Sequence, residues 1–335
     1  MPRKLTEYAN RYRKIRLERA FLAALAATLV SPVLAQDWPA KRLTLVVTSP
    51  AGGSNDASAR IYAERLSARL KQPVVVDNRP GSAGLVGMES MRRSPPDGYT
   101  FGLLGSHFTA PPALQPNMTF DPVKEFAPLG RIASSAYLIV VTPSVPARDL
   151  TQFIEHARAN AGRLNYGTVS NTTTNFDLAR FMRLAKLEMT GVPYAGAAPI
   201  TVALLGEQVQ MSFLSSTAMP HIRSGKLFAI AATGRARMSI APDVPTTFEQ
   251  GIPLDAGFWY GLAIPSAVPK AIVDRLAREI AAVGRMEDTR DAIGKLSLDP
   301  LDPSVAEMTE HIRQEKEIYA ETARAMGPAA PPNPR

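Results

Sequence analysis

Short apolar runs alternate with segments of helical periodicity along most of the chain. The short runs are rich in β-branched residues and are typical of buried strands. In the longer segments, apolar positions recur every three to four residues, which predicts helices. The predicted strands cover 43–47, 73–76, 100–104, 137–141, 164–167, 209–214, 227–233 and 258–264. The predicted helices cover 55–70, 81–91, 150–161, 176–187, 200–205, 270–283, 288–296 and 305–326. This alternation indicates an α/β fold with mainly parallel sheets flanked by helices.

The chain is too long for a single hydrophobic core, so we expect two lobes. No Gly/Ser linker separates them, and the chain is expected to cross between them near 135–142 and 247–258. One lobe then comprises residues 36–138 and 253–327, and the other is the inserted segment 139–252. Residues 328–335 (PAAPPNPR) are expected to form a disordered tail. Ligands of such sheets bind beyond the carboxyl ends of the strands, here in the cleft between the lobes.

The N-terminus has the features of a targeting segment. Seven basic and two acidic residues lie within positions 1–19, and an uncharged run, AFLAALAATLV, follows at 20–30. Pro32 interrupts this run, and Val33-Leu34-Ala35 provides a small residue before a cleavage site. The run is too short to span a bilayer, which takes about 20 residues. We therefore expect residues 1–35 to be a signal peptide cleaved after Ala35; an amphipathic helix that stays attached is the alternative.

The charge of the chain depends on this segment. The 335 residues carry 38 Lys and Arg against 30 Asp and Glu, a net charge of +8 that would favour an anionic partner such as nucleic acid. Cleavage after Ala35 leaves 300 residues with a net charge of +3, so nucleic-acid binding is not expected. The sequence has no cysteine, which excludes disulfides, cysteine-bound metals, thiol catalysis and a lipoprotein anchor.

Two polar loops stand between a strand and a helix, where backbone N–H groups can bind an anion. The first, at 49–56, reads SPAGGSND, and its paired glycines allow a ligand close to the backbone. The second, at 168–175, reads TVSNTTTN and has uncharged hydroxyl and amide side chains at six of eight positions. An ordinary capped turn is an equally good interpretation of either loop alone. One such loop in each lobe favours a paired anion site.

Other motifs are less informative. Gly81, Gly84 and Gly87 form a GxxGxxG spacing that indicates close packing of a helix on a sheet rather than nucleotide binding. The sequence lacks GxSxG, HExxH and SxxK, and its four histidines have no metal-ligand spacing. We therefore expect neither an enzyme nor a metal or cofactor.

A series of short motifs in a fixed order resembles one known family. The matching segments are 50–56 (PAGGSND), 72–81 (QPVVVDNRPG), 96–100 (PDGYT), 120–128 (FDPVKEFAP), 164–167 (LNYG), 192–197 (VPYAGA), 220–226 (PHIRSGK), 242–246 (PDVPT) and 259–261 (WYG). Together they resemble the extracytoplasmic solute receptors of tripartite tricarboxylate transporters, the TctC-like or Bug receptors. The resemblance extends from Trp38 to about Gly327.

The resemblance implies a two-lobe Venus-flytrap fold of the type II periplasmic binding protein class. It also implies a small carboxylate ligand, transient contact with transporter membrane subunits, a periplasmic location and a monomer. The ligand would be held by backbone amides, hydroxyl groups and water. Carried over by position, the ligand-binding residues are Ser49, Ala51, Gly52, Gly53, Ser54, Asn55, Asp56, Ser106, His107, Thr168, Ser170, Asn171, Thr172, Thr173, Gly196, Ala197, Ser215 and Ser216.

Three segments depart from the family pattern. Ser49 stands where an aromatic residue is usual, which widens the expected pocket, and 168–173 carries hydroxyl side chains at two usually small positions. Leu214-Ser215 stands where many members have an acidic residue. Its absence favours a plain carboxylate, aromatic or dicarboxylic, over an amino acid. A receptor that signals to a sensor instead of feeding transport remains an alternative, and a secreted hydrolase is a more remote one.

Overall fold

Two β-sheets form the framework of the computed structural model, which describes residues 38–109, 120–169 and 172–326, the side chains of Ala83 and His107 excepted. The expected signal peptide and the expected disordered tail lie outside the described residues. From Lys41 on, the described residues form one compact unit that contains both sheets.

The first sheet contains six strands of the described chain. They are β1 (Leu43–Val47), β2 (Val74–Asn78), β3 (Thr100–Gly105), β4 (Phe126–Ala136), β10 (Gly257–Pro265) and β11 (Asp299–Pro300). Their spatial order is β11-β4-β10-β3-β1-β2. Strands β1, β2 and β3 are parallel, whereas β10 runs antiparallel to both β3 and β4.

The second sheet contains five strands in the order β7-β6-β8-β5-β9. They are β5 (Leu138–Val141), β6 (Asn165–Thr168), β7 (Thr190–Pro193), β8 (Met211–Leu214) and β9 (Phe228–Ala232). Strand β6 pairs in parallel with β7 and β8, and β5 is antiparallel to its neighbours β8 and β9. A single residue, Tyr137, separates β4 of the first sheet from β5 of the second.

Helices flank both sheets in the described part of the chain. They are α1 (Ser54–Leu70), α2 (Leu85–Arg92), α3 (Pro122–Glu125), α4 (Leu150–Ala159), α5 (Thr173–Ala185), α6 (Ala197–Leu205), α7 (Met219–Arg223), α8 (Lys270–Gly284), α9 (Glu287–Lys295) and α10 (Val305–Met326). The two-lobe expectation of α/β sheets flanked by helices is confirmed in its two-sheet α/β architecture. The sheets are mixed rather than mainly parallel, because four pairings between the described strands are parallel and five are antiparallel.

Strand β5 shows that apolar side chains pack against both faces of the second sheet. Ile139 and Val141 belong to one apolar layer, which includes Phe153 of α4 and Phe181 of α5. Leu138 and Val140 belong to another layer, together with residues of α6. Successive side chains of a strand point to opposite faces, so a continuous run of apolar residues is buried on both sides. Burial of each such side chain contributes about 1.5–3 kcal/mol.

Helix α2 packs closely on the first sheet. A Cβ atom at Gly87 would lie 2.9 Å from Cγ2 of Thr48 and 3.0 Å from the carbonyl oxygen of Arg79. Both distances are shorter than ordinary contacts, so only glycine fits here. The packing interpretation of the GxxGxxG spacing agrees with this geometry.

Candidate functional site

The candidate ligand loops lie at two sheet edges that adjoin each other. In the first sheet, the loops after the parallel strands β1 and β3 share the edge at which β4 ends and β10 begins. In the second sheet, the loops after β6, β7 and β8 share the edge at which β5 begins. Strand β4 ends at the first of these edges and β5 begins at the second. Tyr137 is the single residue between the two strands, so this crossing connects the two edges. The topology thus places the carboxyl ends of the parallel strands of both sheets beside this crossing.

The first loop ends in a helix start that has no side-chain cap. Gly53 precedes α1 in extended geometry, and no side chain of the described residues accepts its first amides. The cap-type residues Ser54, Asn55 and Asp56 all lie inside the first turn, where their backbone N–H groups have no intrahelical acceptor. A Cβ atom at Gly53 would meet only a distant atom of Asn55, at 4.0 Å. Open space next to uncapped amides is suited to an anion.

Side chains within the first loop hold its shape. Oδ2 of Asp56 accepts hydrogen bonds from the Gly52 amide, at 3.1 Å, and from Nε of Arg60, at 3.0 Å. The Arg60 guanidinium, as the leading cause, lowers the pKa of the Asp56 carboxyl, which stays ionised. The carbonyl oxygen of Ser49 accepts a hydrogen bond from Asn78 at 3.2 Å. Asp56 thus stabilises the turn at Gly52, whose φ of +90° favours glycine.

The second loop caps its own helix. Oγ1 of Thr172 accepts the amide of Asn175 at 3.3 Å and donates to the carbonyl of Val169 at 2.7 Å. Oγ1 of Thr168 donates to Oδ1 of Asn175 at 2.8 Å, and Thr173 is buried. The predicted site residues Ser170 and Asn171 lie outside the described residues. Hydroxyl groups that sequence reasoning assigned to an anion are therefore engaged within the loop.

A second uncapped helix start lies on the same edge, after β7. Gly196 precedes α6 without a side-chain cap among the described residues, and a Cβ atom there would meet nothing within 4 Å. The third helical residue, Pro199, has no N–H group, so the amides of Ala197 and Ala198 are those left without an intrahelical acceptor. Both residues are exposed. Of the second-sheet loops, this one presents backbone donors most openly.

The remaining predicted site residues follow β3 and β8. Ser106 is buried, and its carbonyl oxygen accepts a hydrogen bond from Oγ1 of Thr109 at 2.9 Å. The His107 side chain lies outside the described residues. Oγ atoms of Ser215 and Thr217 lie 2.9 Å apart, and Ser216 begins a short 3-10 helix.

An aromatic row, which sequence reasoning missed, connects the starts of α1 and α5. Oγ of Ser54 lies 2.8 Å from the hydroxyl of Tyr260, and Thr174 donates to the hydroxyl of Tyr137 at 3.0 Å. Between them, the Phe258 ring contacts Tyr260 and Tyr137, with centroids 5.6 and 5.9 Å apart. The sequence places these aromatic residues at strand ends beside the predicted crossings, and that position could have indicated the row.

The two tyrosines of this row stay protonated. Burial raises the pKa of both Tyr137 and Tyr260 above the usual value. Tyr137 also stacks on Phe213 of β8, at a centroid distance of 6.0 Å. The row therefore forms a neutral, hydrogen-bonded and apolar link between the two sheets.

The described residues give no indication of metal binding or of a membrane span. Within the described ranges, no group of three or more His, Asp or Glu side chains is arranged to hold a metal ion. None of the helices in those ranges combines the length and the apolar composition that crossing a bilayer requires.

Comparison with known proteins agrees with this architecture. The family described as "Tripartite tricarboxylate transporter family receptor" matches residues 58–325. The protein BugT of Bordetella pertussis is 29% identical over 310 residues, covering 90% of this chain and 94% of the relative.

Solved structures give the same result. A structure described as R. palustris Rpa4515 with adipate has a TM-score of 0.72 and 30% identity, covering 86% of this chain and 99% of that one. MatC of Rhodopseudomonas palustris with bound malate has a TM-score of 0.70 and 26% identity, covering 85% and 100%. The family and its solved neighbours, among them the periplasmic binding protein BugD at 27% identity, are solute-binding receptors rather than enzymes, and the family implies a periplasmic location. The chain belongs to the tripartite tricarboxylate transporter receptor family, the TctC-like Bug receptors.

Proposed function

We propose that this receptor captures a small carboxylate between the loops of its two sheets and delivers it to a tripartite tricarboxylate-type membrane transporter. The observation that carries the proposal is the pair of uncapped helix starts at Gly53 and Gly196, one on the adjoining edge of each sheet. Their free amides offer uncharged donors and positive helix ends to a carboxylate.

The ligand class follows from the donors and from the relatives. No acidic side chain follows β8, where Leu214-Ser215 stands, so nothing at that position would bind an ammonium group. Adipate and malate, the ligands of the two solved relatives, are both dicarboxylates without an ammonium group. We therefore favour a dicarboxylate or another plain carboxylate over an amino acid. The predicted site residues at 49–56, 106–107, 168–173, 196–197 and 215–216 are proposed to surround it.

Capture is proposed to involve closure of two lobes, 36–138 with 253–327 and the insert 139–252. Support comes from the division into two sheets and from the brief crossing at Tyr137, at which a small backbone rotation reorients one sheet against the other. A ligand that contacts both helix starts binds the closed state more tightly than the open one, and so favours closure.

Export and oligomeric state complete the proposal. We propose that residues 1–35 direct secretion and are removed after Ala35, and that the mature receptor is a monomer that meets the transporter subunits transiently. Intact mass of the protein recovered from the periplasm tests the cleavage site, and light scattering tests the monomer. Co-purification with transporter membrane subunits tests delivery.

Calorimetric titration of the ligand-free protein with adipate, malate and acetate tests the function itself. We expect saturable binding of at least one dicarboxylate and no binding of the matched neutral diamide. A folded, ligand-free protein that binds no carboxylate would overturn the proposal.

A single backbone donor can be removed without disturbing its helix. Ala197 occupies the first helical position of α6, where proline is well tolerated, and the extended Gly196 before it is compatible with proline. We expect A197P to weaken carboxylate binding about tenfold to hundredfold, because a hydrogen bond to a charged group contributes about 1.5–3 kcal/mol. The control A197S keeps the N–H group and is expected to bind like the wild type. Equal carboxylate affinities of A197P and the wild type would show that the Ala197 amide does not bind the ligand.

A further inference from the structure

A pocket of about 710 Å³ lies beside the crossing, apart from the candidate ligand loops. Its walls come from β4, from the crossing segment 234–237 and 253–256, from α5 and from α10, and none of the predicted site residues lines it. Two of its side chains are carboxyl groups on facing helices, Asp177 of α5 and Glu315 of α10.

Helix α10 connects the first sheet to α5. Met308 and Ile312 pack in the apolar cluster of the first sheet, which includes Trp259. About two turns beyond Ile312, the Tyr319 ring meets the Phe176 ring of α5 edge-on, with centroids 5.8 Å apart. The contact between α5 and α10 therefore couples the first sheet to the helix that begins at the second candidate ligand loop.

Only one of the two carboxylate oxygens of Asp177 has a hydrogen-bond partner among the described residues. The residue is 1% exposed, and its Oδ1 accepts a hydrogen bond from Nη1 of Arg180 at 2.9 Å. Arg180 also donates to the carbonyl oxygen of Asp255 at 3.2 Å. Oδ2 of Asp177 is buried without a hydrogen-bond partner among the described residues. The titratable and charged groups that interact with Asp177 are Arg180 on its own helix, Asp255 and Tyr137 on the crossings, and Glu315 and Tyr319 on α10. The same pocket is also lined by Arg131, Arg235, Arg237, Asp299 and His311.

Glu315 has hydrogen bonds, but no Lys or Arg of the described residues lies within ion-pair distance of it. Its Oε2 accepts from Oγ1 of Thr109 and from Nε1 of Trp259, the latter at 3.0 Å, and Oε1 accepts from Tyr319 at 3.3 Å. Nε2 of His311 lies 3.8 Å from Oε1, but burial lowers the pKa of that histidine to about 4, so it is neutral. Arg131 acts on Glu315 from β4 and is itself paired with Glu307.

For two largely buried carboxyl groups that act on each other, ionisation of both costs free energy. Burial is the leading cause that raises the pKa of Asp177 and of Glu315, each to about 7, and the charge of Glu315 raises that of Asp177 further. Near neutral pH the pair therefore holds protons that both groups would have lost in the unfolded chain.

We propose that Asp177 and Glu315 are positioning residues, which dock the start of α5 against α10 and do so most firmly when at least one of them is neutral. The proposal rests on the proposed function, because the start of α5 matters to binding only where it borders the ligand cleft. When both groups ionise, their repulsion loosens the contact between the helices. Stability and carboxylate affinity then fall together.

The sign of the pH dependence follows from proton linkage. A carboxyl group whose pKa is raised in the folded state binds its proton more tightly there, so its stabilisation is present at low pH and is lost as pH rises through the folded pKa. The wild-type urea midpoint should therefore fall between about pH 4.5 and pH 8. Adipate affinity should fall about tenfold between pH 6 and pH 8.5, as linkage to one proton allows.

The variants D177N and E315Q test this in the full mature chain. We expect each to flatten the pH profiles of urea midpoint and adipate affinity, and to be at least as stable as the wild type at pH 8.5. The control D291N changes an exposed carboxylate of α9 and should leave both profiles unchanged.

The outcomes separate the two proposals. Wild-type and variant profiles that superimpose would overturn the positioning role. So would adipate binding whose pH dependence is the same in D177N as in the wild type, even if stability changes. A stability profile that depends on Asp177 in a protein that binds no carboxylate at any pH would overturn the proposed function, and the positioning role with it.

Discussion

Helices α1 and α5 begin after equivalent parallel strands, yet their first turns differ. At α1 the cap position is Gly53, and the polar residues that follow it lie inside the helix with their amides free. At α5 the cap position is Thr172, whose hydroxyl oxygen takes the amide of Asn175. A free amide turn can bind an external anion, whereas a capped one has already satisfied part of its donors. The loop at 168–175, although it is richer in hydroxyl groups, thus has fewer free donors for an anion than the loop at 49–56.

Helix α6 sharpens the comparison, because it begins after Gly196 and resembles α1 rather than α5. The glycine-led starts of α1 and α6, one on each sheet, are the two that we propose as donors to the ligand, whereas the Thr172 loop caps its own helix. The aromatic row through Tyr137 and Tyr260 links the starts of α1 and α5 in this structure.

The largest expected effect comes from breaking that row. Tyr137 is 6% exposed and contacts Phe213, Phe258 and Thr174. Y137A should lower the free energy of unfolding by about 3–5 kcal/mol, as for other buried aromatic residues truncated to alanine. Urea denaturation measures this. Y137F keeps the ring, loses only the bond from Thr174 and should cost about 1 kcal/mol. A Y137A protein as stable as Y137F would show that the row does not join the sheets.

An intermediate effect is expected from giving α1 the cap that α5 has. In G53S the new hydroxyl oxygen can accept an amide of the first turn, so carboxylate affinity should fall about tenfold, the equivalent of 1.4 kcal/mol. Stability should rise by a few tenths of a kcal/mol. Calorimetric titration measures the affinity. G53A adds the same Cβ without an acceptor and separates capping from crowding. Unchanged affinity in G53S would mean that the α1 amides do not hold the ligand.

The smallest effect is expected from removing the cap of α5. T172A should destabilise the protein by about 1 kcal/mol, while carboxylate affinity does not fall. Urea midpoints measure the loss. T309A removes an exposed hydroxyl that bonds only within α10 and serves as the control for loss of a threonine. A tenfold loss of affinity in T172A would instead assign the Thr172 hydroxyl to the ligand.

Most strands and helices could be predicted from hydrophobic spacing, but the short elements β7, β11, α3 and α7 were missed, and so was the long strand β4. Its sequence, FAPLGRIASSA, lacks strict alternation, because the pairing with β10 shifts register twice along its length. Each irregularity resets which side chains face the core, so a search for a period of two fails there.

Helix starts were predicted less well, and they decide the site. The apolar spacing of α5 begins at Phe176, but the helix begins at Thr173, since its first turn is polar. Residues 54–56 are three consecutive residues of cap-forming type, and the sequence alone did not reveal that the cap position is Gly53, directly before them. Which oxygen meets which amide depends on backbone angles that composition does not encode.

Backbone amide NMR of the ¹⁵N-labelled receptor during titration with adipate tests the central claim most directly. We predict saturable shifts that are largest for the amides of Ser54, Asn55, Asp56, Ala197 and Ala198 and small for that of Asn175. Saturable binding with those five amides unmoved would contradict the account.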